Sequence, residues 1–296
     1  MSNPDQIQRF LFDDISVRGA ITGLQSTYQE VLSRDAYPRP VQTLLGQMLA
    51  ACSLMSTVLK FEGRLVIQAR TAGALRVVQA ECSHLADLRG IARWDGDIAD
   101  DLDPMMLLQE GGQMAITIEP EKGRPYQGIV PLEGATLAEC MQGYFNQSEQ
   151  LPCRLFLAAD GKDAAGMMLQ AVPESSGPTD VADLEDWERL TVLADTLTSK
   201  EMLELDNTTV LTRLFHEEQV RVFPVLDLRF HCDCSKERCS AALATLNAED
   251  LNDAIQQDEE LKVQCQFCNE EYVFDKADLE ALQHEASAPG NPDVLH

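Results

Sequence analysis

The chain has 296 residues, of which 45% are hydrophobic and 24% are charged, which is typical of a globular protein with enough apolar material for a core. Its 23 basic and 49 acidic residues give a net charge of −26, which would repel phosphate backbones and anionic lipids, so we expect neither nucleic acid nor membrane as a partner. The charge is unevenly distributed, because residues 171–296 contain 9 basic and 28 acidic residues, which is most of the excess negative charge. This predicts at least two regions that differ in their electrostatic character.

The N-terminal segment is polar. Residues 1–6 read Met-Ser-Asn-Pro-Asp-Gln, with no apolar stretch behind a basic head, so we predict no secretory signal and a cytoplasmic location. The charge-free run 40–59 is long enough to cross a membrane. Its apolar residues fall on one helical face, however, which favours a helix packed in a globular core.

Residues 1–173 are predicted to form an α+β domain with a largely antiparallel sheet. Apolar residues at helical spacing predict a helix over 135–145, and helices are too few between strands for a doubly wound parallel sheet. Turns are predicted at Asp95-Gly96, Lys122-Gly123 and Asp160-Gly161. Short stretches rich in Val, Ile and Leu predict strands at 65–68, 75–80, 88–94, 114–118, 127–132, 154–159 and 167–172.

Residues 174–231 are predicted to form a linker region that is mainly helical and acidic, after a breaker-rich stretch at 173–178. A second helix in this region is expected to begin at a cap supplied by Asn207 or Thr208. Helices this short need a partner surface. Their apolar sides either pack permanently on the first domain or form a surface that is uncovered on demand. The apolar stripe of the first helix consists of Leu184, Trp187, Leu190, Leu193 and Leu197.

Residues 232–296 are predicted to form a small C-terminal domain. Its apolar residues, among them Leu246, Leu251 and Ile255, are too few for a substantial core. The domain would therefore gain stability from a cross-link such as a bound metal ion, here called a staple. The odd number of cysteines and the lack of a secretory signal argue against a permanent disulfide framework. Five of the nine cysteines lie here: Cys232, Cys234, Cys239, Cys265 and Cys268.

The spacing of these cysteines predicts a zinc site. The pairs Cys232/Cys234 and Cys265/Cys268 are separated by 30 residues and supply the four thiolates that a tetrahedral zinc ion prefers. Four thiolates leave no open position for a water molecule, so a hydrolytic zinc enzyme is not expected, and no other catalytic motif predicts an enzyme. Cys239 could substitute for one of these ligands, but it is predicted to lie on the following helix. The remaining cysteines are predicted to be buried apolar residues: Cys52, Cys82, Cys140 and Cys153.

Such a closed zinc site is either a purely structural staple or a redox switch. Thiolates are the form of cysteine that oxidants attack, and their oxidation to disulfides removes the metal ligands. Metal binding contributes on the order of 10 kcal/mol to the folding of a small domain, so its loss would unfold residues 232–296.

Several motifs together resemble those of bacterial redox-regulated heat-shock chaperones, holdases of about 33 kDa, the size of this 32.8 kDa chain. The resemblance covers nearly the full length, and it is specific because the motifs share an order and a spacing. The matching stretches are 37–41, 59–63, 126–134, 214–218 and 265–268, with Cys232-Asp-Cys234-Ser before the last of them.

The resemblance implies that the reduced protein is an inactive monomer with one zinc ion on Cys232, Cys234, Cys265 and Cys268. Oxidation is then implied to form the disulfides Cys232–Cys234 and Cys265–Cys268, to release zinc, to unfold residues 232–296 and to loosen residues 174–231. The uncovered apolar surface would bind unfolding client proteins without ATP, in a form that tends to dimerise.

Two alternatives from other classes remain open. A thiol–disulfide oxidoreductase would use Cys265 and Cys268 at the start of a helix, whereas Tyr272-Val-Phe274 after this motif predicts a strand. A constitutive zinc-stapled adaptor would bind a fixed partner, and its oxidation would abolish binding instead of creating it.

Overall fold

The structure is a computed structural model that describes residues 5–148, 150–172, 181–243, 260–279 and 281. The chain divides into two compact units, Met1–His231 and Cys232–His296. The predicted breaker stretch 173–178 and the predicted apolar positions Leu246, Leu251 and Ile255 lie outside the described residues.

The first unit contains two six-stranded sheets. The first sheet has the order β10-β1-β2-β9-β8 with β11 also beside β1, and the second has the order β12-β5-β4-β3-β6-β7. The pairings are antiparallel except for the short β12–β5 pair, which confirms the predicted α+β class and the largely antiparallel sheet. The strands of the first sheet are β1 Gln6–Phe12, β2 Val17–Leu24, β8 Cys153–Ala159, β9 Ala164–Ala171, β10 Val220–Val222 and β11 Leu226–Asp227. Those of the second sheet are β3 Gly63–Arg70, β4 Leu75–Ser83, β5 Asp87–Trp94, β6 Gln113–Pro120, β7 Tyr126–Val130 and β12 Arg229–Phe230.

All seven predicted strands have counterparts, but the sequence pattern does not predict β1, β2 or the short strands β10, β11 and β12. Glycine in the middle of a strand weakens the sequence signal, because it has no side chain to pack. In β2 it is required by a close approach, since a Cβ at Gly19 would lie 2.2 Å from the ring of Phe10 on β1. The predicted turns are confirmed by the left-handed φ values of Gly96, Gly123 and Gly161 (71°, 114° and 87°).

Helix α2, Arg39–Ser56, is the core helix of the first unit and confirms the helix predicted for the charge-free run. Pro40 lies in its first turn, where a missing N–H costs no hydrogen bond. The helix contacts β2, β8 and β9 of one sheet and β3, β4 and β5 of the other. Its residues Leu45, Met48 and Leu49 are fully buried. Among the described residues, no helix is long and apolar enough to cross a bilayer.

Helices α5 (Val181–Ala194), α6 (Ser199–Glu204) and α7 (Asn207–Phe215) pack on the first sheet. Strand β9 is buried along nearly its whole length, because α2 and these helices both contact its sheet. The cluster beneath the helices joins Phe10, Phe12, Ile21, Met167 and Leu169 of the sheet to Leu190, Ala194, Val210, Leu211, Leu214 and Phe215 of the helices. The predicted cap of α7 is wrong. The N-cap is Asp206, whose carboxylate accepts a hydrogen bond from the Thr209 N–H at 2.9 Å, because the helix begins one residue earlier than the pattern indicates.

Three further helices complete the described part of the first unit. Helix α4, Leu137–Ser148, confirms the predicted helix over 135–145 and contacts β7 and β8. Helix α1 is Ser26–Leu32 and helix α3 is Pro104–Gln109.

The described part of the second unit consists of helix α8, Lys236–Leu243, and a hairpin of β13, Glu260–Gln264, and β14, Glu271–Asp275, followed by a helical turn from residue 276. Three apolar side chains are buried among these described residues: Leu243, Phe274 and Leu279. The ammonium of Lys236 lies 5.2 Å from the centre of the Phe274 ring and 2.7 Å from the Asp278 carboxylate, so it links the start of α8 to the last turn. This unit has a very small apolar core in its described part.

Candidate metal centre

The hairpin loop 265–270 carries Cys265 and Cys268. The loop is closed by two backbone hydrogen bonds, from the Cys265 N–H to the Glu270 carbonyl (2.8 Å) and from the Asn269 N–H to the Cys265 carbonyl (2.9 Å). Asn269 has a φ of 64°, in the left-handed region that asparagine tolerates better than most residues. This tight turn brings both thiols to one centre, as the C-x-x-C spacing predicts.

Cys232 and Cys234 lie in the irregular segment immediately before α8. The Ser235 hydroxyl accepts a hydrogen bond from the Arg238 N–H (3.2 Å), and the Arg238 guanidinium donates to the Asp233 carbonyl (3.2 Å). These contacts tie the C-x-C segment to the start of the helix. Cys239 lies on α8 and packs against the small core of the unit, as predicted.

The four predicted ligands meet at one point. The Sγ atoms of Cys232, Cys234, Cys265 and Cys268 all lie within 4.8 Å of one another. Cys232 is 3.7 Å from Cys265, and Cys234 is 3.2 Å from Cys268. A tetrahedral zinc ion with Zn–S bonds of about 2.3 Å requires sulfurs separated by about 3.8 Å. The donor set and its geometry therefore fit a closed metal site.

The electrostatics of the four thiols also favour a bound cation. Burial by itself raises the pKa of Cys265, but hydrogen bonds from the N–H groups of Cys268 and Phe267 and from the neighbouring thiols outweigh it, and the net pKa is lowered. The pKa of Cys268 is raised by burial and by the adjacent thiols. Thiols this close cannot all ionise unless a positive charge lies between them, and a divalent cation supplies that charge.

Tyr272 adds a contact that the sequence pattern did not predict. Its hydroxyl donates a hydrogen bond to the Cys234 sulfur over 3.2 Å, from strand β14. Hydrogen bonds to ligand atoms orient them and tune metal affinity. The sequence shows only that Tyr272 follows Cys268 by four residues, and this spacing alone does not predict the contact.

The other four cysteines are buried in the first unit and do not join the cluster, as predicted. Burial raises the pKa of Cys82 and of Cys153 to about 12. The Cys52 sulfur lies 3.5 Å from the Leu65 carbonyl. These thiols stay protonated at neutral pH, which makes them poor targets for oxidants.

The position of Cys265 and Cys268 argues against the oxidoreductase alternative. A catalytic C-x-x-C motif takes its low pKa from the start of a helix. Here the motif lies in a hairpin loop, and the residues after it form strand β14, as the sequence predicts.

Comparisons with known proteins agree with one another. A family model described as Hsp33 protein matches residues 5–275. A 33 kDa chaperonin of Pseudomonas aeruginosa PAO1 is 46% identical over the full length of both chains, and one of Ectopseudomonas mendocina ymp is 48% identical over 99% of each. The crystal structure of a 33 kDa chaperonin (heat shock protein 33 homolog) from Thermotoga maritima matches with a TM-score of 0.77 and 24% identity, over 95% of this chain and 98% of that chain, so it shows the same fold.

Proposed function

This chain belongs to the Hsp33 family and is a heat-shock chaperone, and we propose that it is a redox-regulated, ATP-independent holdase. The reduced form holds one zinc ion on Cys232, Cys234, Cys265 and Cys268 and is inactive. The observation that carries this proposal is the convergence of the four thiols, within 4.8 Å, in a unit with a very small described core. Such a unit depends on the metal for its folding.

Oxidation of the thiolates is the activating step. Two thiolates give two electrons to one molecule of peroxide, which takes up two protons and becomes two molecules of water, while the sulfurs join as a disulfide. Two such steps produce Cys232–Cys234 and Cys265–Cys268. A disulfide sulfur is a poor metal ligand, so both pairs lose their affinity for zinc.

Loss of the metal unfolds residues 232–296. Residues 174–231, the linker region, then pack less tightly on the first sheet. The apolar sides of α5 and α7 and the face of the first sheet beneath them become available to unfolding client proteins. Leu190, Leu211 and Phe215 are almost completely buried there, so their exposure would create a large apolar surface. The oxidised form is a dimer and the reduced form is a monomer, and both forms are located in the cytoplasm.

Light scattering of a thermally unfolding client enzyme tests this function. The protein is added without nucleotide, either reduced and zinc-loaded or oxidised with peroxide and zinc-free, and its mass is measured by multi-angle light scattering. We expect only the oxidised form to suppress aggregation, and Cys239→Ser to behave like the unaltered chain. Equal or better suppression by the reduced form would contradict the switch and favour a zinc-stapled adaptor.

A further inference from the structure

Strand β9 carries two adjacent methionines, Met167 and Met168, on opposite faces of the first sheet, because successive side chains of a strand alternate. Met167 belongs to the cluster beneath α5–α7, and Met168 belongs to the main core around α2. Both side chains are fully buried. The two residues therefore share a strand, a chemistry and a degree of burial, and they differ in what covers them.

The side chains that form the cluster around Met167 are apolar. Its partners in the strand register are Ile21 on β2 and Phe156 on β8. The helices above contribute Leu190 of α5 and Leu211 of α7 to the same cluster. A thioether suits such a site, because it is flexible and is only a weak hydrogen-bond acceptor. The Met167 sulfur is shielded from oxidants as long as these helices stay packed.

The cover over Met167 is the part of the first unit that the proposed function releases. Helices α5–α7 lie within residues 174–231, the linker region. Met168 stays covered by α2, which contacts both sheets. Met106 on α3 is already 53% exposed. An oxidant should therefore reach Met106 at all times, Met167 only after release of the helices, and Met168 in neither state.

Peroxide converts an accessible methionine to its sulfoxide. The sulfur attacks one oxygen of hydrogen peroxide and the O–O bond breaks. The other oxygen leaves as hydroxide, takes the proton of the first and becomes water, so the sulfur gains one oxygen atom and loses two electrons to the peroxide. The product is polar, and burial of a polar group without a hydrogen-bond partner is unfavourable. Helices α5–α7 would therefore repack poorly over an oxidised Met167.

We propose that Met167 is a site of reversible oxidation, which peroxide reaches only when α5–α7 have left the first sheet, and that its sulfoxide keeps these helices from packing again. The inference rests on the proposed function, because it adds a second redox step to the same switch. Reduction of the zinc-site thiols then restores the metal site but leaves the first sheet uncovered. The chaperone stays active until a sulfoxide-reducing enzyme regenerates the thioether.

Return to the inactive form tests this step. The full-length chain is oxidised with excess peroxide and then treated with dithiothreitol and zinc, which restore the thiols and leave sulfoxides unchanged. Peptide mass spectrometry with fragmentation should locate the added oxygen on Met167 and not on Met168. The unaltered chain should then half-suppress client aggregation at about ten-fold lower concentration than Met167→Leu, because its released form is more populated.

The matched control is Met168→Leu, since leucine is close in size to methionine and fits either core. This variant should behave like the unaltered chain. Methionine sulfoxide reductase, with dithiothreitol as its reductant, should abolish the retained activity. The inference is overturned if the unaltered chain and Met167→Leu become inactive alike, or if Met167 gains no more oxygen than Met168. Failure of the oxidised chain to suppress aggregation before the thiols are reduced would instead contradict the proposed holdase function.

Discussion

The two units of this protein solve the problem of stability in different ways. The first buries a long helix between two sheets, with Leu45, Met48 and Leu49 fully removed from solvent. The second has three buried apolar side chains in its described part and four thiols gathered at one point. A core of the first kind is insensitive to the redox state, because its stability comes from apolar burial. We expect the stability of the second unit to depend on the reduced state of its thiols, because a bound metal would supply much of its folding free energy.

The largest test of this contrast removes one ligand. In Cys268→Ser we expect loss of the zinc ion and unfolding of residues 232–296, because metal binding contributes about 10 kcal/mol to a domain of this size. Metal analysis with limited proteolysis should show a zinc-free protein whose first unit stays resistant. Cys239→Ser serves as the control and should keep its zinc, since Cys239 lies outside the cluster. Retention of zinc by Cys268→Ser would show that the ligand set is different.

The second largest effect that we expect is a difference in thiol reactivity between the cysteines of the two units. Burial raises the pKa of Cys82 and of Cys153 to about 12, so at pH 8 only about one molecule in ten thousand carries the thiolate. After removal of the metal, iodoacetamide should alkylate the C-terminal cysteines roughly a thousand times faster than these two, as measured by mass spectrometry. Denaturant should abolish the difference. Rapid labelling of Cys82 or Cys153 in the folded protein would make them candidate oxidation sites.

A smaller effect is expected from the tyrosine beside the cluster. Tyr272→Phe removes the hydrogen bond to the Cys234 sulfur and should weaken zinc binding about ten-fold, the lower end of effects known for groups next to metal ligands. Competition with a chelator measures this affinity. Tyr126→Phe, on the exposed strand β7, is the matched control and should bind zinc normally. An unchanged affinity in Tyr272→Phe would mean that the hydroxyl only packs against the site.

The smallest effect concerns the helices of the first unit. Hydrogen bonds from the hydroxyl and the N–H of Thr209 hold the pKa of Asp206 below its usual value. Asp206→Ala should therefore cost about 1 kcal/mol at pH 7 in urea unfolding. Because the folded pKa is depressed, this contribution is complete above the unfolded pKa of about 3.9 and disappears as the pH falls through the folded value.

Asp206→Asn is the control for this cap. The amide caps a helix without a charge, so we expect little loss of stability at pH 7 and loss of only the part of the acid-induced destabilisation that comes from Asp206. Zinc content should be the same in both variants. A loss of zinc in Asp206→Ala would contradict the view that the two units are stabilised independently, because it would couple a helix cap in the first unit to the metal site in the second.

The cysteine cluster was predictable because its chemistry is local. Each ligand pair is fixed by a short spacing, and the need for four donors selects the two pairs that belong together. Strands β3–β9 were predictable from short stretches rich in Val, Ile and Leu between turn residues, and helices α2 and α4 were predictable from the period of their apolar residues. The cap of α7 was not, since Asp206, Asn207 and Thr208 are all good capping residues and adjacent in the chain.

The amino-acid sequence by itself determined the metal-type donors, the α+β class and the apolar stripes of the helices, because these depend on residue type and on spacing within a few turns. Only the tertiary structure decided what each stripe covers. It placed β9 between β2 and β8, packed α5–α7 over β1 and β9, and brought Tyr272 to the Cys234 sulfur. Such contacts depend on the summed packing of the whole unit, which no local pattern encodes.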